Sequence, residues 1–365
     1  MRVVFDAFSV RTGTTAIVLE NLLIGWTQLP YADELIVLAS PQSQFTPPPG
    51  VRVELVEPPA AKRIGDLWLR SFGVRKHCRR LGADALVSLV TASALLGTKC
   101  PRGAVVYDLR HELRPQQFSR RRRAARKLSY AWTFRTADAL CCISQRTRDD
   151  LVRTRPRLAR KAVAAPLGGD HALTWTVDEP PAGQYAIAFG HFANKNADAV
   201  IEAWAQFCKT DHDVTLRLVG MSGADRASAA RRIAELGIEN RVELMPWLDD
   251  AQFKACFAAA SLVVFPSDFE GFGLPAAEAM WLGIPLVVSE DPALAEVTGG
   301  HAIVARDLSP APLAESMRAA LRETGEQVAA ARRHAENFQW RYTAEAVRSA
   351  VLSAPAQRQA PAPRQ

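Results

Sequence analysis

Short runs rich in β-branched residues alternate along the whole chain with longer stretches whose apolar residues recur at helical spacing. In the first half the apolar runs are VVFDAF (3–8), ELIVLA (34–39), RVELVE (52–57), ALVSLV (85–90), AVVYDL (104–109), ALCCIS (139–144) and KAVAAP (161–166). Helices are predicted between them at about 14–29, 66–82, 118–136 and 145–155. Strands alternating with helices at this spacing imply parallel sheets covered on both faces, because each crossover lays a helix on the sheet. LGGDHALTWTVDEPPAGQ (167–184) keeps neither period and is rich in Gly and Pro, which marks a domain boundary. The alternation restarts with YAIAFG (185–190), VTLRLVG (214–220), RVELMP (241–246), SLVVFP (261–266), IPLVVS (284–289) and HAIVA (301–305). Amphipathic stretches at 310–323 and 327–352 follow the final strand. The tail APAQRQAPAPRQ (354–365) has no core-forming residues and is expected to be disordered.

The pattern therefore predicts an α/β chain of two doubly wound, Rossmann-like domains. Two such sheets in tandem are expected to turn the C-terminal ends of their strands, where ligands bind, towards a central cleft. That favours a two-substrate enzyme. A length of 365 residues agrees with two domains at roughly 150 residues each. The balance of 45 Lys+Arg against 38 Asp+Glu, a net +7, favours anionic partners: nucleic acid, an anionic membrane face or a phosphorylated small molecule. The six cysteines form no C-x-x-C or zinc spacing and read as reduced thiols of a cytoplasmic protein. MRVVFDAFSV reads as a first strand and not as a signal peptide. No run approaches 18 apolar residues, so no membrane-spanning helix is expected.

The densest chemical signal is SLVVFPSDFEGFGLPAAEAMWLGIPLVVSE, 261–290, which parses as strand, loop, short helix, Gly stop and strand. Pro275 suits a first helical turn, where its missing N–H costs nothing, and Gly283 suits a helix stop. The Gly-rich loop Glu270-Gly271-Phe272-Gly273-Leu274 feeds the helix N-terminus, where unpaired amides and the positive dipole end make an anion site. Glu270 and Glu278 flank it. A carboxylate repels a phosphate, so two of them there make sense as acceptors for hydroxyls. An anion with hydroxyl-rich groups on either side describes a nucleotide diphosphate-sugar.

Glu-x7-Glu within FPSDFEGFGLPAAEAMWLGIPLVVS closely resembles the donor site of the GT-B fold, retaining glycosyltransferases of family four (glycosyltransferase group 1). FGHFANKNADAVIEAW (189–204) is similar to that family's strand, loop and helix carrying a phosphate-binding Lys, and LVGMSG (218–223) to its next Gly turn. RVELMPWLDDAQFKACFAAASLVVFPS resembles the approach to the Glu pair. VVYDLRHELRPQQF (105–118) and ADALCCISQRTRDDL (137–151) resemble its acceptor-domain segments.

The resemblance implies an acceptor-binding domain over 1–168, a donor-binding domain over 169–335 and a final helix at 336–353 that packs back on the first domain. It implies that Glu278 holds the donor ribose, that Glu270 faces the sugar hydroxyls, and that Lys195 neutralises the departing diphosphate. Fixed charges of that kind are usually the largest catalytic contribution. It implies donor contacts at Gly271, Phe272, Gly273, Leu274, Gly190, His191 and Gly13, and no metal or other cofactor. Many members carry Arg where this chain has His191, and His-Asp where it has Tyr107-Asp108. His111, three residues on, is the candidate for the family's catalytic His. The implied reaction moves a hexose, mannose- or rhamnose-like, from a nucleotide diphosphate-sugar, GDP-linked by preference, to a glycan or lipid-linked acceptor in cell-surface polysaccharide or glycolipid synthesis.

Other readings compete. Gly271-Phe272-Gly273-Leu274-Pro275-Ala276 fits G-x-G-x-x-A with Glu290 further on, the fingerprint of an NAD-dependent oxidoreductase. Pro275 and a loop of about four residues before Gly271 count against it. The basic run SRRRRAARK (119–127) suggests nucleic-acid binding, but it lacks interleaved stacking aromatics. A solvated face, or peripheral attachment to anionic lipid at the inner face of the cell membrane, explains it better. Asp211-His212-Asp213 matches a metal-binding Asp-x-Asp, but it precedes a strand and is rejected.

Overall fold

The computed structural model describes residues 1–359 apart from 9, 12, 58–71, 92, 95, 178–182 and 212, with side chains as far as 353. The chain divides into two compact units, Met1–Gly168 with Gln339–Gln365, and Gly169–Phe338.

Unit one holds strands β1 (Arg2–Asp6), β2 (Glu34–Ala39), β3 (Arg52–Leu55), β4 (Ala85–Ser88), β5 (Arg102–Val106), β6 (Ala139–Cys142) and β7 (Ala162–Ala164). They form one parallel sheet in the order β3-β2-β1-β4-β5-β6-β7. Its helices are α1 (Thr14–Thr27), α2 (Val74–Leu81), α3 (Arg110–Leu113), α4 (Arg120–Thr136) and α5 (Gln145–Thr154). Every apolar run of the first half becomes a strand. Covered on both faces, the central strands need no polar alternation. Val4, Ile36 and Leu86 share one core with Val74, Cys78 and Leu81 of α2. Ala104, Val106 and Leu140 share another with Tyr130 and Phe134 of α4.

Unit two repeats the plan with β8 (Tyr185–Phe189), β9 (Thr215–Val219), β10 (Val242–Leu244), β11 (Leu262–Phe265), β12 (Leu286–Ser289) and β13 (Ile303–Ala305), all parallel in the order β10-β9-β8-β11-β12-β13. Its helices are α6 (Ala197–Phe207), α7 (Gly223–Leu236), α8 (Asp250–Ala258), α9 (Leu274–Leu282), α10 (Pro292–Thr298), α11 (Pro310–Leu321) and α12 (Gly325–Ala335). Trp204 and Phe207 of α6 pack with Leu313 and Met317 of α11 over Leu216, Leu218 and Val264. The strand order reverses between β8 and β11. At such a switch point neighbouring crossovers depart to opposite faces and leave a crevice at the strand C-termini.

The amphipathic stretch 327–352 holds two helices. α12 ends at Ala335 and α13 (Trp340–Gln359) belongs to unit one. The amide of Asn337 binds His334 O at 2.9 Å, while Phe338 O accepts from Trp281 Nε1 at 3.2 Å and from Gly169 N–H at 3.0 Å. These tertiary partners outbid helix continuation across a stretch whose apolar spacing runs on unbroken. In unit one, Thr343 Oγ1 donates to Pro166 O at 2.6 Å and Arg348 pairs with buried Asp33 at 2.7 Å. The helix runs to Gln359, past the expected start of a disordered tail at 354, and 360–365 lie outside the described residues. So do 66–71 of the helix expected over 66–82; the described part is α2. No helix among the described residues is long and apolar enough to cross a membrane.

Candidate functional site

The switch point of unit two gathers the strongest sequence candidates. β8 ends at Phe189 and turns at Gly190. A Cβ on Gly190 would lie 2.3 Å from Met221 Cγ, so only glycine lets this turn close on the one after β9. A 3-10 turn, Ala193–Lys195, then leads into α6. From the other side of the switch, β11 runs into the loop 266–273 ahead of α9. The N-cap of α9, Gly273, has φ 104°, a left-handed conformation that a side chain would strain; its Cβ would also lie 2.6 Å from Leu294. Pro275 sits in the first turn and Gly283 ends the helix, both as expected.

Lys195 and Glu270 meet there. Lys195 Nζ donates to Glu270 Oε1 at 2.6 Å, with the two side chains only 7% and 14% exposed. Asn194 Nδ2 donates to the same oxygen at 3.2 Å. Oε2 has no hydrogen-bond partner among the described residues, which leaves one carboxylate oxygen to accept from a hydroxyl. The ammonium also lies 4.2 Å from the centre of the Phe265 ring, a cation–π contact that fixes it further. Two charges taken this far from water interact more strongly than on an open surface.

A scaffold of uncharged bonds holds the pair. Asn194 Nδ2 also donates to Ser267 Oγ at 2.9 Å and to Phe269 O at 3.0 Å, and Ser267 Oγ donates to Asn194 O at 2.9 Å. Asn196 Nδ2 binds Pro266 O at 2.8 Å, and Ser289 Oγ donates to Ser267 O. Asp291 caps α10 through Ala293 N–H at 2.9 Å and accepts from Glu270 N–H at 3.3 Å. Three consecutive strand ends of the sheet thus fix one carboxylate and one ammonium beside a helix N-terminus.

Glu278 lies one turn inside α9, buried, with Oε1 3.1 Å from His171 Nε2. His171 in turn packs against Trp175, ring centres 5.6 Å apart. Gly271, Phe272, Gly273 and Leu274 line the entry to α9 as the spacing predicts; Phe272 and Leu274 are buried, so their backbone is what they offer a ligand. His191 stands exposed on the loop after β8, its ring 4.6 Å from that of Phe192.

The remaining candidates lie in unit one. Gly13 is the N-cap of α1 with φ 95° and open space about its Cα. His111 is fully buried in α3, its ring 4.5 Å from that of Tyr130, and neither ring nitrogen has a hydrogen-bond partner. Burial pushes its pKa down, so the ring is neutral. Its Nε2 lies 3.4 Å from Glu112 Oε1.

Sequence reasoning passed over Asn194, Ser267, Asp291 and His171. Asp291-Pro292 after a strand is a recognisable capping signal; the other three carry none, because their importance lies in partners 73 to 107 residues away. Two competing readings lose their geometry. β11 ends at Phe265 and α9 begins at Leu274, so Gly271 is not in the tight strand-to-helix turn of a dinucleotide fingerprint. Of the Asp-x-Asp, His212 lies outside the described residues, and Asp211 accepts the N–H groups of Asp213 and Val214 at 3.1 and 3.2 Å as a turn cap.

Comparison with known proteins accounts for both units. The model for glycosyl transferases group 1 matches residues 178–338, and that for glycosyltransferase family 4 matches 16–172. The chain belongs to the group 1 glycosyltransferases, an enzyme family of the GT-B fold. It is similar to an MMP α-(1→4)-mannosyltransferase of Mycolicibacterium hassiacum, 37% identical over 130 residues, which is 36% of this chain and 31% of that one. A GDP-mannose-dependent α-(1-6)-phosphatidylinositol dimannoside mannosyltransferase of Mycobacterium tuberculosis is 29% identical over 238 residues, 61% of this chain and 60% of that one. The matches therefore span from about a third to three-fifths of these relatives' length. Among solved structures, Anabaena HepE in complex with UDP and glucose shares the fold with a TM-score of 0.74 at 18% identity, covering 97% of this chain and 100% of that one.

Proposed function

We propose that the protein transfers a hexose from a nucleotide diphosphate-sugar to an acceptor hydroxyl with retention at the anomeric carbon. The observation that carries this reading is the buried Lys195–Glu270 pair, held by Asn194 beside the N-terminus of α9. A diphosphate needs fixed positive charge and a free amide; Lys195 supplies the first and the Leu274 N–H at the start of α9 the second, since Pro275 has none and those of Ala276 and Ala277 donate to Gly273 O, and together they stabilise the charge that develops as the diphosphate leaves. The sugar needs an acceptor for its hydroxyls, which Glu270 Oε2 offers. The ribose needs another, which Glu278 offers, oriented by His171. Neither the amide nor the ammonium requires a metal to act.

Retention follows from front-face attack, in which the acceptor oxygen bonds to the anomeric carbon on the side the diphosphate leaves, and the departing phosphate takes the acceptor proton. Glu270 is committed to Lys195 and Asn194, which suits a positioning acceptor better than a nucleophile. GDP-mannose is the favoured donor, since the relatives named above are mannosyltransferases and one is GDP-mannose-dependent; rhamnose is the next choice. The acceptor is a glycan or lipid-linked hydroxyl handled by unit one, with the enzyme at the inner face of the membrane.

Thermal-shift screening against GDP, UDP, ADP and dTDP identifies the base, since a ligand of the folded state raises the melting temperature by mass action. GDP should give the largest shift. Mannose transfer from GDP-mannose, with the product linkage read by NMR, then tests the reaction. An inverted linkage sinks retention, and no response to any nucleotide sinks the donor site.

A further inference from the structure

Spacing along the chain treats all six cysteines alike, whereas the fold sets one pair apart. Cys78 in α2 and Cys100 just ahead of β5 meet beside the start of β4. Ala83 N–H donates to Cys78 O at 2.9 Å and Leu86 N–H to Pro101 O at 2.9 Å, so β4 and the turn before it anchor both. Cys78 is buried with Val4, Ile36 and Leu86, and half-buried Cys100 packs against the same core. Both thiols are free, and their sulfurs lie within hydrogen-bonding reach of each other.

Both cysteines line a cavity of about 310 Å³ together with Arg75, Lys76, Arg79 and Lys99. The four cations are exposed, so the cavity reaches solvent. Neither α2 nor residues 96–100 carry an acid, and none of the four is ion-paired among the described residues, whereas Arg80 of the same helix is held by Glu54. Four unpaired cations around one opening raise the local concentration of small anions. The two thiols also differ from each other. Hydrogen bonds from Cys78 and Thr98 bring the Cys100 thiol below its ordinary range, against burial and the Asp138 charge. The same contact, with burial and the Asp6 charge, pushes Cys78 up, and burial pushes up Cys141, Cys142, Cys208 and Cys256. Cys100 therefore carries the most thiolate at neutral pH, and thiolate is the form that attacks sulfur.

We propose that Cys78 and Cys100 are a thiol pair that exchanges with an anionic low-molecular-weight disulfide drawn into this cavity, and that they close reversibly into a protein disulfide. The Cys100 thiolate attacks one sulfur of the small disulfide. A bond forms between Cys100 and that half, the small disulfide's own S–S bond breaks, and the other half leaves as a thiolate that takes a proton from water. Cys78 then attacks Cys100 Sγ; the second half leaves as a thiolate and receives the Cys78 proton. Two protein thiols are oxidised and one small disulfide is reduced to two thiols. The new bond ties α2 to the segment that enters β5. It does not depend on the sugar-transfer reading, which uses residues of unit two.

The full chain is incubated with glutathione disulfide, which is anionic, or with cystamine, which is cationic, and mapped by mass spectrometry without reduction. A Cys78–Cys100 link that dithiothreitol removes is expected. With each rate divided by that of a free cysteine peptide, glutathione disulfide should react about tenfold or more faster than cystamine. The preference should shrink at high salt and disappear in R75E/R79E. C78A should stop at a glutathione adduct on Cys100, and C100A should give no product at either position. The map and the rate ratio are read on the unaltered chain, so they decide even where C78A fails to fold. No link, a link through any other cysteine, or a lasting glutathione adduct on the unaltered chain overturns the pair. Equal normalised rates for the two reagents overturn the anionic ligand.

Discussion

Replacing Glu270 by Gln should slow sugar transfer and tighten binding of the free nucleoside diphosphate at the same time. Lys195 is shared: its ammonium is 2.6 Å from Glu270, and the diphosphate of a donor would compete for it. A carboxylate about 6 Å from a phosphate charge repels it by roughly 3 kcal/mol at an effective permittivity of about 20. Glu270 retains some access to water, so about 1 to 1.5 kcal/mol of this should be recovered as affinity, a five- to tenfold tightening. The same change weakens the one acceptor offered to the sugar and frees Lys195 to sit elsewhere, so turnover should drop by about 10²-fold, the scale of losing one preorganised polar group. Lys195→Ala should also cut turnover by about 10²-fold but weaken the diphosphate. Calorimetric titration with GDP, beside steady-state transfer from GDP-mannose, reads both quantities. If the two variants shift nucleotide affinity in the same direction, the shared-ammonium argument is wrong; if neither changes turnover, the site is wrong.

Asp291→Ala removes the cap of α10 and the acceptor for Glu270 N–H, and should cost about 1–2 kcal/mol in urea unfolding with a parallel loss of turnover. Gly190→Ala puts a methyl 2.3 Å from Met221 Cγ and should cost about 1–3 kcal/mol, with Met221→Ala restoring part of the melting temperature in the double variant. Hydrogen bonds from Arg348, Trp26 and the N-terminal ammonium outweigh the opposing effect of burial and hold the Asp33 carboxyl down to about 2. A folded-state pKa below the unfolded one gives stability that is complete above the ordinary carboxylate value and is lost as pH falls towards 2. Asp33→Asn should therefore flatten the acid limb of a stability–pH profile between about pH 4 and 2, whereas an unchanged limb would show that this pairing contributes nothing.

Much of the fold was legible because its signals are local. All thirteen strands among the described residues fall within the apolar runs or overlap them; the central ones do so because a parallel strand buried on both faces must be apolar along its length, while the edge strand β3 is largely exposed. Pro275, Gly283 and the Glu-x7-Glu spacing marked a short helix with an acid on either side of its start before any fold was known. The apolar spacing runs through Asn337 and Phe338 without showing the helix break, which only the resemblance, with its final helix at 336–353, anticipated; its partners, Trp281 and Gly169, reach in from elsewhere. His111 shows how burial also escapes the sequence. Its place after a strand suggested chemistry, yet Tyr130, carried in from α4, buries it.

Sequence alone determined two parallel sheets, the turn chemistry around α9 and the presence of two acids beside a helix N-terminus, all of which depend on neighbours a few residues apart. Only the tertiary structure decided that Glu270 would share a buried oxygen between Lys195 and Asn194, and that Glu278 would lean on His171. Those partners are separated by some 75 to 107 residues of chain. Periodicity fixes which face of a strand or helix is buried, but which strand ends adjoin is set by sheet order, and the strength of a buried ion pair by the water its neighbours exclude.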